Sequence, residues 1–571
     1  VSTGRLARLT SGVAGAAAVI TALTLLARVT GFARWFALNA WVGPNAVGSA
    51  YATANTVPNV LYEVAAGGAL AGTVVPLLAG ALARHLRADV DRVSSALLSW
   101  ALLVLVPVGA FTWLAAPWVV QALLSSGAPA DQRELAATLL RIFAWQIPLY
   151  GVGVVLSGVL QAHRRFVGPA LAPFLSSVVV IASYYVVGRL VPAGTEPGQL
   201  SGAAVAWLGW GTTAGVVALS LPLLVPVHRA GVRLRPTLHF PPGVARRARA
   251  LALAGAGGLL AQQVSVVVTV RLANAWGGAG ALNVNQYATA VVLLPYAVLA
   301  IPLATAMFPR LAQHAATGRG DELARDTARS TRVLVLVSVA GAAALVAAAW
   351  RVQDVFAAVA RGGSVDGMAQ AVVAGAPSVL GLALMYHLSR VLFATEHARH
   401  ALVGTSVGWV AVAVAGTAWL LVATTVPDGG DATAVLRALG AASSVGTLIG
   451  AAVLAVAVRG VVGPHALTGL ARTATVAVAG GVVGAGAGLA VAGLAPDGGV
   501  VVAVLLGLLG GGLAAAITAG GVLVGDRSTM TALRTARRRP GAADTTQTDE
   551  NPEPAGPAGP AQPTSIETGE S

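Results

Sequence analysis

Apolar runs of about twenty residues or more recur along almost the whole chain, and they set what it can fold into. The run at 499–524, "GVVVAVLLGLLGGGLAAAITAGGVLV", carries no charged residue at all. Hydrocarbon offers no partner to a backbone N–H or C=O, so runs of this length must satisfy themselves as helices. Of the 571 residues, 56% are hydrophobic and 10% charged. A soluble chain would carry about 25% charged residues. The expected fold is an all-α polytopic membrane protein.

Fourteen transmembrane helices are expected, near 12–42, 47–82, 93–123, 134–161, 166–190, 202–227, 248–273, 284–312, 333–350, 369–395, 401–425, 432–458, 473–493 and 499–524. With the loops numbered alternately, one side holds 26 arginines and the other 5. The positive-inside rule makes the arginine-rich side cytoplasmic, with both termini on it, as expected of a multi-pass plasma-membrane protein. The basic residues are all arginine, and their placement fits lipid headgroups and topology; no nucleic-acid partner is expected. The segment 527–571, rich in Pro, Gly, Thr and acid beyond Arg539, is expected to be a disordered cytoplasmic tail.

The chain has no cysteine, which excludes disulfides, zinc–thiolate sites and cysteine nucleophiles. Without lysine, a P-loop or a Schiff base is also excluded. No G-x-S-x-G or H-E-x-x-H motif is present, so neither an enzyme nor a cofactor or metal site is expected.

Two stretches recur. "VPNVLYEVAAGGALAGTVVPLLA" at 57–79 parallels "LPYAVLAIPLATAMFPRLA" at 294–312, and "GVLQAHRRFVGPAL" at 158 parallels "RVLFATEHARHALV" at 390. Pro58 and Pro295 lie 237 residues apart, Pro76 and Pro309 233, and Gly158 and Arg390 232. This spacing predicts a duplicated six-span unit: one six-helix lobe over 1–235, a second over 236–460, and two additional helices over 461–526. Proline inside a span frees backbone groups that need a neighbour or a cavity. Pro58, Pro295 and Pro302 are therefore candidate hinges, or else static kinks.

Few ionisable groups lie within spans. Arg28 and Arg34 sit in "LLARVTGFARWF", with Gly31 between them as a third candidate hinge. Span 1, residues 12–42, is roughly 46 Å long as a helix, against a hydrocarbon core of about 30 Å. A core beginning at Gly12 lets Arg28 snorkel and leaves Arg34 outside; a core ending at Trp41 buries both. Glu63 is the acid placed deep in a span, either a partner for one arginine or a coupling group. Arg271 lies near the outer end of span 7, and Arg390 about a turn from a cytoplasmic end, where it can snorkel. Asn55, Asn59 and Gln286 belong to polar clusters in spans 2 and 8 that suggest a polar central lumen. A cationic lumen suits an anionic substrate, because guanidinium pairs with phosphate through parallel N–H donors.

"ARVTGFAR" at 27–34, followed by "VPNVLYEVAAGGALAGTVVPLLA", resembles the opening of the MurJ (MviN) family, the lipid II flippases of the multidrug/oligosaccharidyl-lipid/polysaccharide exporter superfamily. "LLPYAVLAIPLATAMFPRLA" resembles its span 8, and "LQAHRRFVGPALAP" its turn between spans 4 and 5. The resemblance implies two lobes around a cationic cavity, with spans 13 and 14 forming a lipid-facing groove. It implies that Arg28 and Arg34 engage a substrate pyrophosphate, and that a lipid-linked peptidoglycan precursor crosses the bilayer for cell-wall synthesis. Lipid-linked anionic substrate and membrane lipids are then the expected partners, with cell-envelope synthesis or division proteins as further candidates. The chain departs from the family pattern at several positions: Trp35, Ser49 and Gly67 stand where it has acids, Tyr62 and Glu63 where it has paired arginines, and Thr289 and Ala290 where it has an acid and an arginine. The alternatives are an exporter of another polyprenyl-linked glycan or amphipathic solute, and a non-transporting scaffold.

Overall fold

The computed structural model describes residues 13–64, 71–241, 244–423, 431–495 and 498–525; the expected tail lies outside them. Among the described residues the regular structure is helical, without a strand. The first half holds α1 (Val13–Trp41), α2 (Ala46–Glu63), α3 (Ala71–Ala83), α4 (Arg87–Leu123), α5 (Ala130–Phe143), α6 (Gln146–Ala162), α7 (Val167–Leu190), α8 (Gly202–Ala206), α9 (Thr212–Ser220) and α10 (Leu224–Arg229). The second half holds α11 (Val244–Trp276), α12 (Ala281–Pro295), α13 (Ile301–Ala316), α14 (Gly320–Ala357), α15 (Met368–Gly375), α16 (Ser378–Ala394), α17 (Ala398–Ala423) and α18 (Ala432–Val462). Two more helices follow, α19 (Leu470–Ala492) and α20 (Gly499–Gly525).

Among the described residues, eleven helices are long and apolar enough to cross a membrane, and twelve if the pair α15–α16, bent by 41°, forms one span. The expected second and seventh spans fall outside that count. The second runs through 65–70, which are not described; the seventh corresponds to α11, where the side chains of 249–258 are not described. The expected ninth span, 333–350, is the middle of a longer helix. α14 starts at Gly320, and its buried Asp326 pairs with Arg310 (2.6 Å) and His314 (3.2 Å) of α13.

The duplicated spacing recurs in the backbone. His85 (φ 55°) and Gly318 (φ 69°), 233 residues apart, are the left-handed residues of matching helix ends. In each, the next residue's N–H reaches back five positions: Leu86 to Ala81 (2.9 Å), Arg319 to His314 (3.0 Å). Arg164 (φ 59°) and Glu396 (φ 64°), 232 apart, repeat the pattern, with Arg165 bonded to Leu160 and His397 to Leu392, both at 2.8 Å. The break between α5 and α6 at Ala144–Trp145 likewise matches the break at Ala376–Pro377 between α15 and α16. These C-terminal caps satisfy the last helical carbonyls inside the chain itself.

The cores show how the halves meet. One cluster joins both halves in the arginine-poor half of the bilayer, from Leu38, Tyr51 and Leu140 to Tyr287, Phe356 and Val372. In the arginine-rich half the cores are separate: one around Val74, Leu97 and Leu156, the other around Leu311, Leu388 and Leu454. Two lobes thus converge at one face and part towards the other. α11 links them, starting against the first lobe at Ala248 and ending in a cluster with Leu420 and Leu439 of the second.

Candidate functional site

The arginine-poor face is closed largely by main chain. A Cβ on Gly43 would lie 1.7 Å from the carbonyl oxygen of Arg361, and one on Gly363 2.0 Å from that of Pro44. Asn39 Nδ2 donates to the Phe356 carbonyl (2.7 Å), and the Arg361 N–H donates to the Asn39 carbonyl (3.1 Å). Ser49 Oγ, where the family resemblance has an acid, accepts from the N–H of Gly280 (2.7 Å). Asn274 Nδ2 donates to Thr53 Oγ1 (3.0 Å) and to the Leu123 carbonyl (3.1 Å). Beneath this seal Phe36 stacks on Phe356 (centroids 4.2 Å), and Trp35 meets Tyr287 edge-on (6.1 Å).

Below the aromatic layer lies a cavity of about 1060 Å³. Trp35 and Thr56 line it from the first lobe; Gln262, Asn285, Gln286, Thr289, Tyr386 and Arg390 are among its second-lobe lining. Of the expected substrate residues, Gln286 lines it directly. Pro295 ends α12 and Pro302 opens α13, with a π-helical turn, Tyr296–Ala300, between them, so this wall is irregular along the cavity. Irregular backbone at membrane depth is tolerated where protein or a cavity surrounds it.

The other expected residues are distributed along the lobes. Arg28 is exposed and Arg34 half-buried on α1; among the described residues neither has a hydrogen-bond or ion-pair partner. Arg34 lies within Coulombic range of the Tyr51, Tyr150 and Tyr184 hydroxyls. Asn59 Oδ1 accepts from the Tyr150 hydroxyl (3.2 Å), and Tyr150 packs on Tyr62 (4.4 Å), so this part of the first lobe is a hydroxyl-rich wall. Asn55 is half-buried and Pro58 buried in the same helix, α2. Glu63 is exposed at the end of α2 and forms no ion pair with either arginine, so the expected neutralisation is not present here. Arg271 is half-buried, and its Nη1 is enclosed without a hydrogen-bond partner among the described residues; it does not line the cavity. α1 runs through Gly31 without a break, and no atom lies within 4 Å of where its Cβ would be.

Arg390 is the residue that sequence reasoning set aside. The sequence places it near a cytoplasmic end, where it can snorkel; in the structure it lines the cavity. Its four-residue spacing from Tyr386, one turn of α16, was the available signal.

Two lobes of interrupted helices, sealed at one face and parted around a polar cavity, make a polytopic membrane fold of the kind seen in MATE-type proteins. Solved structures share that fold. An inward-facing multidrug resistance MATE family transporter of the MOP superfamily matches with TM-score 0.63 and 15% identity over 78% of this chain and 98% of that one. Lipid II flippase MurJ in an inward closed conformation matches with TM-score 0.67 and 14% identity over 88% of this chain and 99% of that one. A family model described as "Lipid II flippase MurJ" matches residues 38–509, and the chain belongs to that family. Among curated relatives, "Lipid II flippase MurJ" of Burkholderia cenocepacia is 31% identical over 52% of this chain and 56% of its own length. "Probable lipid II flippase MurJ" of Rhizobium meliloti (strain 1021) is 28% identical over 57% of this chain and 60% of its own length. The chain thus spans a little over half the length of these relatives.

Proposed function

We propose that this plasma-membrane protein flips a lipid-linked peptidoglycan precursor, lipid II or a close analogue, from the inner to the outer leaflet by alternating access. The observation that carries the reading is the asymmetry of the lobes: in a chain of the flippase family, one face is sealed and the cavity lies beneath that seal. The arginine-rich face is the cytoplasmic one in this reading, with both termini on it, and the lobes comprise 1–235 and 236–460 with helices 461–526 appended. Arg28 and Arg34 hold the substrate's diphosphate. That neither has a counter-ion among the described residues supports this, because an arginine kept at membrane depth needs water, an acid or an anionic cargo. Asn55, Asn59, Glu63, Arg271 and Gln286 contribute polar contacts, and Gly31, Pro58, Pro295 and Pro302 absorb the change in helix direction.

The test is externally accessible lipid II in cells depleted of their own flippase and expressing this chain. Restored exposure that is lost in Arg28→Ala/Arg34→Ala is the expected result. A stably inserted chain that restores nothing removes lipid II as cargo. The second reading, export of another polyprenyl-linked glycan, draws on one observation: Thr289 and Ala290 leave the α12 cavity wall without its family charges.

A further inference from the structure

The cavity lining contains one charged residue among the described residues, Arg390. It is half-buried on α16, about a turn from the end of the helix at Ala394. Its Nη1 donates to Thr305 Oγ1 of α13 (3.3 Å), and its Nη2 donates to the Tyr386 hydroxyl. The guanidinium carbon lies 4.3 Å from the centre of the Tyr386 ring and 5.5 Å from that of Phe308. Every one of these contacts is to a neutral group, and among the described residues no carboxylate lines the cavity. Ring faces and hydroxyls fix the plane of a guanidinium without cancelling its charge. A cation held in this way at a polar cavity wall is a pre-organised anion site, since the ordering cost is met before the ligand arrives.

We propose that Arg390 is the second lobe's phosphate-binding residue and grips the phosphoryl oxygens of a lipid-linked cargo. The proposal rests on the flippase reading above and deepens it. Ala290 lines the same cavity from α12 and is uncharged, so among the described residues Arg390 supplies the lining's cation from α16. Its position near the arginine-rich end of α16 places it at the side where the lobes part, and a headgroup entering there meets it early.

The experiment uses the full chain in lipid nanodiscs and reads intrinsic tryptophan fluorescence, since Trp35 and Trp409 line the cavity. The probes are farnesyl diphosphate, farnesol and inorganic pyrophosphate. The wild-type chain is expected to bind farnesyl diphosphate more tightly than either control. Arg390→Ala should weaken that binding about 10- to 100-fold, the size of one lost charge-assisted contact, and leave farnesol unchanged. Arg390→Lys, which keeps the charge but not the plane, should fall between. Arg390→Ala with Ala290→Arg should recover most of the affinity, a rescue that a folding defect would not produce. An Arg390→Ala affinity within about twofold of wild type, with Arg34→Ala still weakened, overturns the proposal and leaves the flippase reading standing. Binding that does not distinguish the diphosphate from farnesol overturns both. Pyrophosphate binding as tight as the lipid's overturns the lipid-linked source of the phosphate.

Discussion

At position 43 the backbone has φ +89°, and the space where a side chain would go is filled by the Arg361 carbonyl. Glycine is required there on both counts. Gly43→Ala would bear about 1–2 kcal/mol of left-handed strain as well as the clash, and it bears them where the lobes touch. The seal should loosen, and a cysteine at the buried interface position Ser49→Cys should react with a maleimide about tenfold faster or more, since 1.4 kcal/mol is a factor of ten. Unchanged reactivity would mean that the lobes are held by something else. The residue scale also marks the limit of sequence reasoning. Arg28 and Arg34 stand out in a list because charge in an apolar run is conspicuous. Arg390 is equally conspicuous, but its contacts include Phe308 and Thr305, more than eighty residues away, and spacing within one helix cannot reveal them.

The last two helices pack at main-chain distance. A Cβ on Gly484 would lie 2.5 Å from the Ala514 carbonyl oxygen, and one on Gly488 2.4 Å from that of Gly510. Without a hydrophobic drive between helices in lipid, such close approach is what holds them together. Gly488→Leu should push α19 off α20 and lower the unfolding temperature in detergent, at a cost of about 1–3 kcal/mol. Gly486→Leu has nothing within 4 Å to meet and should leave it unchanged; equal effects from the two would refute the packing argument. A buried arginine ties this pair to the second lobe: Arg351 Nε donates to the Ala492 carbonyl (2.7 Å). Helices were the most legible elements, because lipid enforces uniform apolar runs. The repeat was legible too, and the 232- and 233-residue offsets reappear as matched left-handed turns. Interruptions were less so. Pro295 and Pro302 announce the π-turn between them, but the π-turn at Trp207–Gly211 contains no proline; there a Cβ on Gly211 would lie 2.1 Å from Ser183 Oγ, which donates to the Trp207 carbonyl (2.7 Å).

For the whole molecule, the shared core at one face and the separate cores at the other predict a rocking motion about the membrane midplane. Spin labels on the exposed residues Ala193 and Ser364, at the sealed face, should move apart when a lipid-linked diphosphate drives the cycle; labels at Arg84 and Arg399 should approach. Distances that change in the same direction at both faces would rule out rocking. The cysteine-free chain makes each label position unique. The seal has a further consequence for how such a protein can change over time. Contacts made by complementary side chains bind the partners' fates together, because a substitution on one lobe demands an answer on the other. Where Gly43 and Gly363 meet the opposite backbone, the only demand is that nothing grow there. At these points the closure asks only for glycine, whereas Asn39, Ser49 and Asn274 close it elsewhere through their side chains. The cavity wall lies apart from these backbone contacts, so a substitution there leaves the closest approach of the two lobes untouched.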